Sequence, residues 1–514
     1  SALCVALVSC RGRAMPAEIA EEQGNAAPQV RTQNRKLVFI AALASVVITA
    51  IESTIVSTSM PTVVASLGGF DLLSWVFTAY LLTQAITVPI YGRLSDLYGR
   101  KPILLTGVGI FALGSVLCGF APSMFALVLF RTVQGFGSGA LVSVGRTLIG
   151  DIFSGPERAR MQGFVSSGFI GAGLLGPMIG AFLVTHTIWP MIFWVNVPIA
   201  LAAGAVLLWG FREHVEKRRH RIDWGGAAVL SAGTGVLMFA LSQTSSLSFA
   251  MKGGLLVIAI VLLLVFVFYE RQVAEPIWPM SLFRDRVASS GNLVSLATGA
   301  TTLGIAAYLP VYIQGVIGQS ASVSGLVIMA LSVGGPMGAA TAGQVMLRSS
   351  YRTAASIGAA LYIVGSVMMT LLTAHSGAAW AGASGFLMGL GMGMNNNTYL
   401  VAVQSESAWN QRGIATSALM FTRILGQAIG ASAFGGILNA GLATYLNGHD
   451  DLVTQVMTPS GRAALPQATA GAIIAQFDHA LHIVFFILVA MAFAVIAIGL
   501  MLPKGRGIRL TERS

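Results

Sequence analysis

The chain has 514 residues, 55% of them hydrophobic and 10% charged, with a formal net charge of +11. Soluble domains carry about 25% charged residues, so this composition excludes a water-soluble globular fold, which could not cover its surface with polar groups. Lysine and arginine gather in short segments between apolar runs, which argues against a nucleic-acid surface. Three cysteines, Cys4, Cys10 and Cys118, give no disulfide framework.

Apolar runs long enough to cross about 30 Å of hydrocarbon recur along the chain. They predict helices, since a backbone in lipid must satisfy its own hydrogen bonds; the alternation of barrel strands is absent. Residues 1–14 are too short to span and carry no basic segment before "LVSC", so Met15 reads as the natural start and 1–36 as a tail. The expected spans are 37–61, 72–92, 102–121, 124–150, 157–185, 189–211, 225–243, 253–270, 288–315, 321–347, 352–374, 377–404, 412–441 and 480–503.

Of the thirty Lys and Arg, 25 fall on one side of this arrangement, with the N-terminus, and two (Lys252, Arg462) on the other; Arg131, Arg146 and Arg423 lie within spans. That asymmetry predicts the basic side to be cytoplasmic, with both termini there. The linkers 212–224 and 270–286 divide the spans into six, two and six. The expected organisation is a tail (1–36), a six-helix bundle (37–211), linkers with two accessory helices (212–287), a second six-helix bundle (288–503) with a long outer loop at 442–479, and a tail (504–514). "GRLSDLYGRKP" (92–102) and "GQVMLRSSYRT" (343–353) hold similar places in the two halves, and paired halves are a pattern of secondary transporters.

In "VITAIESTIVS" (47–57), Glu52 has no charged residue within ten positions on either side of the stretch. The other acidic residues fall at span ends, in the loops or in the tails. An intramembrane carboxylate marks a functional site by default. Glu52 lies about 22 Å from the inner face and Arg131 about 10 Å from the outer face at the helical rise. They therefore reach one depth, as an ion pair that either carries a proton or fixes the bundle. Arg423 is a second deep charge, either a cavity group or one paired with backbone carbonyls.

The loop motif with Gly92, Leu94, Asp96, Gly99, Arg100 and Lys101 resembles the signature loop of the major facilitator superfamily. "RTVQGFGSGA" (131–140), "GAGLLGPMIGA" (171–181) and "ESTIVSTSMP" (52–61) resemble motifs of its fourteen-helix drug:proton antiporters. Ala181, Glu52, Ser57 and Met60 depart from the usual Gly, Asp, Asn and Leu. The resemblance covers residues 35–503. It implies an all-α polytopic membrane protein of major facilitator fold, with two six-helix bundles plus two extra helices and both termini cytoplasmic. It also implies proton-coupled export of hydrophobic or cationic small molecules by alternating access, in the inner membrane of a bacterium. A dedicated exporter of a metabolite, lipid or siderophore shares these motifs; a passive facilitator or channel would have no use for Glu52.

The expected roles are proton coupling at Glu52 and Arg131, a conformational latch at Gly92, Asp96, Gly99, Arg100 and Lys101, and a packing motif at Gly176, Pro177 and Gly180. Candidate substrate-binding residues are Tyr80, Gln84, Gln134, Tyr312, Gln314, Asn395, Asn396, Asn397 and Arg423; at least one of the three asparagines should face the central path, since unpaired amides in lipid are costly. No P-loop, zinc-binding helix motif or nucleophile elbow occurs, so neither ATP drive nor an enzyme is expected. No metal or cofactor is expected. The expected partners are the substrate, protons and lipid around a monomer, with a periplasmic adaptor in a two-membrane bacterium.

Overall fold

The computed structural model describes residues 35–152, 155–211, 223–242, 248–273, 285–406, 412–443, 450–457 and 459–502. The expected tails before residue 35 and after 502, and most of the two basic linkers, lie outside the described residues.

The described chain is helical. In order, the long helices are α1 (Arg35–Leu67), α2 (Leu73–Tyr98), α3 (Arg100–Gly119), α4 (Met124–Ile152), α5 (Gly155–His186), α6 (Met191–Gly210), α7 (Trp224–Ser242) and α8 (Phe249–Glu270). There follow α9 (Arg286–Val311), which runs into a π turn at Tyr312–Val316, then α10 (Ala321–Arg348), α11 (Tyr351–Thr370), α12 (Ala378–Glu406), α13 (Arg412–Gly441) and α14 (Gln467–Gly499). Among the described residues, eleven helices are long and apolar enough to cross a membrane. The expected fifth, twelfth and thirteenth spans are helical too; glycine and polar side chains lower the hydropathy of the last two, while Gly171–His186 of the fifth is a shorter apolar helix. Prolines lie inside α1, α2, α5, α9 and α10 at Pro61, Pro89, Pro177, Pro310 and Pro336. Neighbouring helices in a membrane bundle tolerate such breaks. Ser248, Asp285, Ser320 and Ser350 cap α8, α9, α10 and α11 through side-chain oxygens.

Helices α1 to α6 form one bundle and α9 to α14 the other, with α4 against α2 and α3, and α12 against α10 and α11. Small residues set these approaches. Gly114 and Gly137 join α3 to α4, while Gly389 and Gly393 lie on the backbone of α10 at Leu331 and Gly335. The α7–α8 hairpin packs on α2 and α13, at the seam between the bundles. Its second helix turns Val257, Ile258, Val261, Leu264 and Phe268 outward, the apolar surface that hydrocarbon covers.

Inner and outer follow the basic-loop asymmetry of the sequence. In the described residues, contacts between the bundles gather in the outer half. Phe70 meets Phe477 edge-on at 5.4 Å between ring centroids. Asn439 Nδ2 donates to Asp71 O at 2.7 Å, and Thr78 and Ser432 hydroxyls lie 3.1 Å apart.

The expected outer loop 442–479 differs from the structure. Short helices occupy Asp450–Val456 and Pro459–Ala464, and α14 begins at Gln467. The sequence pattern started the last span at 480 because 467–479 is polar. Ile473 and Phe477 on that stretch are buried against the rest of the protein, so packing extends the helix beyond its apolar run. Asp478, expected in a loop, therefore lies on α14.

Candidate functional site

Four helices of the first bundle build the buried charge site. Glu52 on α1 is fully buried and Arg131 on α4 is 1% exposed. Arg131 Nη1 donates to Glu52 Oε1 and to Gln134 Oε1 at 2.7 Å, while its Nε donates to Val76 O on α2 at 3.1 Å. The guanidinium carbon stands 4.1 Å from the centroid of the Tyr80 ring, where the π face favours a cation. Behind the pair, Gln134 Nε2 donates to Ser115 Oγ on α3 at 2.9 Å. Beside it, Ser138 Oγ lies 2.7 Å from the Tyr80 hydroxyl and accepts from Gln84 Nε2 at 2.5 Å. Arg131, Gln134 and Ser138 fall at i, i+3 and i+7 on one face of α4, so one helix orients most of the network.

Within this dense set one acceptor stands apart. Glu52 Oε2 is buried and has no hydrogen-bond partner among the described residues. A carboxylate accepts through both oxygens, whereas a carboxylic acid carries a proton on one of them. Oε2 is therefore the oxygen at which a proton can be added without displacing the Arg131 donor, which sits on Oε1.

The packing motif lies on α5, against α1. A side chain on Gly176 would meet Thr54 Oγ1, and one on Gly180 would meet Ile55 O at 2.9 Å. Thr54 Oγ1 also donates to Ala172 O at 3.3 Å. Pro177 O faces Gly325 of α10. So α5 holds α1, two residues from Glu52, while touching the opposite bundle. Ser57 donates to Thr54 O of its own helix at 2.9 Å.

At the loop between α2 and α3, Gly99 has φ 95°, a backbone conformation in which glycine replaces the strain a Cβ would bring. Arg100 Nη1 donates to Ser95 Oγ, and Lys101 Nζ donates to Leu208 O and Phe211 O, each at 2.6 Å, holding the end of α6. Gly92 lies within α2, and a Cβ there would meet nothing within 4 Å. The Asp96 side chain lies outside the described residues.

The candidate substrate residues separate into several places. Tyr80, Gln84 and Gln134 are 2%, 6% and 0% exposed; they belong to the closed network around Arg131 rather than to an open surface. Tyr312 is buried on the π turn and its hydroxyl donates to Asp478 Oδ1 at 2.8 Å, at the outer end of the second bundle. Gln314, on the same turn, is 7% exposed. The three asparagines radiate around α12. Asn395 is fully buried against Gly358 of α11, with Nδ2 donating to Gly391 O at 2.9 Å. Asn395 thus lies on the α11 side, since a run of three helical residues spreads over about 200° and the first points away from α9 and α10. Asn396 Oδ1 accepts from Thr298 Oγ1 of α9 at 2.9 Å, and Asn397 Nδ2 donates to Ala339 O of α10 at 2.8 Å. Both are half-buried. Arg423 is exposed.

Sequence reasoning missed Ser115, Ser138 and Arg146 as site residues. Ser138 carries a signal in its spacing from Arg131. Arg146 carries one as a charge inside a span, and it lies within reach of Arg423. Ser115 carries none that separates it from other helix serines.

The residues from 42 to 431 match the family model described as Major Facilitator Superfamily. The chain is 31% identical over 415 residues to "Multidrug resistance protein 3" of Bacillus subtilis, covering 80% of this chain and 81% of that one. It is 30% identical over 414 residues to "Multidrug transporter protein MdtP" of the same organism, covering 80% and 76%. In fold it is similar to a bacterial homolog of the human lysosomal transporter Spinster, in an inward-facing and occupied conformation, with TM-score 0.65, 14% identity, and 91% and 96% coverage. Helix order, two-bundle packing, motif residues and these likenesses agree: the chain belongs to the major facilitator superfamily.

Proposed function

We propose that this transporter is a proton-coupled exporter of hydrophobic small molecules that works by alternating access, with Glu52 as the proton-carrying group. The observation that carries the reading is the unfilled Oε2 of Glu52, inside a network that satisfies its neighbours. Protonation there removes the charge that holds Arg131. The guanidinium then keeps Gln134, Val76 O and the Tyr80 ring but loses its anion. Because Glu52 sits two residues from the α1–α5 seam at Thr54 and Gly176, a change in the pair acts on helices that meet the opposite bundle. Arg131 tunes how readily Glu52 takes the proton. The names of the two Bacillus relatives, a multidrug resistance protein and a multidrug transporter, support export of small molecules. The cellular setting this implies is a plasma membrane, with the basic loops on the cytoplasmic side.

A second reading has its own observation. The pair is closed to solvent on every side, as expected of a fixed structural ion pair. The test is proteoliposomes with a trapped pH dye. An antiporter releases trapped protons when cargo is added, and Glu52→Gln abolishes that release. A Glu52→Gln protein that still moves cargo against an imposed pH gradient would overturn the carrier role and leave the structural one.

A further inference from the structure

Helices α4 and α13 belong to opposite bundles, and each turns an arginine toward the other in the inner half of the protein. Arg146 stands six residues before the inner end of α4 at Ile152, about 9 Å along the axis. Arg423 stands eleven residues after the start of α13 at Arg412, about 17 Å along its axis. Arg146 reaches across the seam to the sulfur of Met420. Met420 and Arg423 are three positions apart on α13 and so share a face. The charge of Arg423 is felt at Arg146.

Arg423 differs from every other deep charge in the described structure. Its side chain is exposed, and it makes no hydrogen bond and no ion pair with a described residue. It shares its face of α13 with Met420, which meets α4 of the opposite bundle. Two cations brought together away from bulk solvent repel, and an anion between them offsets that repulsion. Guanidinium remains charged at any working pH and matches planar oxyanions through paired N–H donors. Met420 beside them offers an adaptable apolar contact. Glu52, the carboxylate that would suit a cationic cargo, is shut inside the first bundle with Arg131.

We propose that Arg146 and Arg423 form an anion-binding site on the inner side of the central cavity, and that the cargo is an apolar molecule carrying an acidic group such as a carboxylate, sulfonate or phosphate. The site narrows the cargo of the exporter proposed above and rests on that reading for its role in transport, but binding to it is measurable without transport. One arginine from each bundle makes the acidic group a bridge between the two halves, so its binding favours the state in which they approach on the inner side.

The experiment is equilibrium binding of matched dye pairs to the purified full-length protein, read by fluorescence anisotropy. Each pair is an aromatic acid and its methyl ester, with rhodamine carboxylate and its ester among them. The expected result is tighter binding of the acid by about tenfold, the scale of one charge-assisted contact. Arg423→Gln should remove that preference and leave ester affinity unchanged. Arg423→Lys should restore part of it, and Arg146→Gln should weaken the acid alone. The proposal is overturned if no acid is preferred over its ester in any pair, if the preference survives Arg423→Gln, or if Arg423→Gln weakens acid and ester alike, as a structural role would. The same pairs in proteoliposomes under a pH gradient test the exporter reading separately: acid binding without transport sinks export and leaves the site standing, while transport of esters alone sinks the site and leaves export standing.

Discussion

Two arginine sites occupy the interior, and they are opposites. Arg131 is enclosed, 1% exposed, and saturated by Glu52, Gln134, a backbone carbonyl and an aromatic face. Arg423 is exposed, its charge is felt by another cation, and it lacks a hydrogen-bonding or ionic partner among the described residues. A cation completed by its own protein fits the proposed structural or proton-coupling role; a cation left incomplete fits the proposed ligand site. The same residue type in the same kind of helix thus serves different ends according to what the fold places around it.

The largest way to break this contrast is to orphan the enclosed charge. Arg131→Met leaves Glu52 buried without its cation, and breaking a buried pair costs about 3–5 kcal/mol. The expected outcome is a sharp drop in melting temperature and folded yield, measured by thermal denaturation in detergent, with the double variant Glu52→Gln/Arg131→Met recovering much of the loss. A smaller effect is expected from Gly176→Val. Its side chain meets Thr54, and overpacking of this kind costs about 1–3 kcal/mol. Transport should fall well before the fold is lost, measured as initial uptake rate beside a melting curve; wild-type transport would remove the α1–α5 seam from the mechanism. Asn395→Ala deletes an amide that, among the described residues, donates to a carbonyl of its own helix, so a loss of about 0.5–1.5 kcal/mol is expected from the hydrogen bond. Cargo affinity should stay unchanged, as fits a residue outside the cavity. The smallest effect on stability is at the incomplete site. Arg423→Gln removes a repelling charge with no partner to orphan, and the melting curve should move by less than about 0.5 kcal/mol equivalent. A large destabilisation there would show that Arg423 is structural after all and erase the contrast.

Much of the architecture was legible because the solvent dictates it. Apolar runs, basic loops and two charged linkers locate helices by composition alone. The last helix escaped because its first turns are polar; Ile473 and Phe477 are held by packing, which no hydropathy pattern carries. The pairing of Glu52 with Arg131 was legible from depth, since helical rise converts residue number into height. The roles of Gln134, Tyr80 and Gln84 were not: polar residues inside a span read alike whether they face a cavity or another helix. The three asparagines show the same limit, because their azimuth depends on how α12 is rotated against α9, α10 and α11.

By itself the sequence determined the class of the protein, the course of its helices, and the presence of one deep carboxylate and three deep arginines. These follow from the cost of placing polar groups in hydrocarbon, a local property of each segment. Only the tertiary structure decided which arginine is satisfied and which is not. That depends on what two helices far apart in sequence, α1 and α4 for Arg131, α4 and α13 for Arg423, bring to the same point in space.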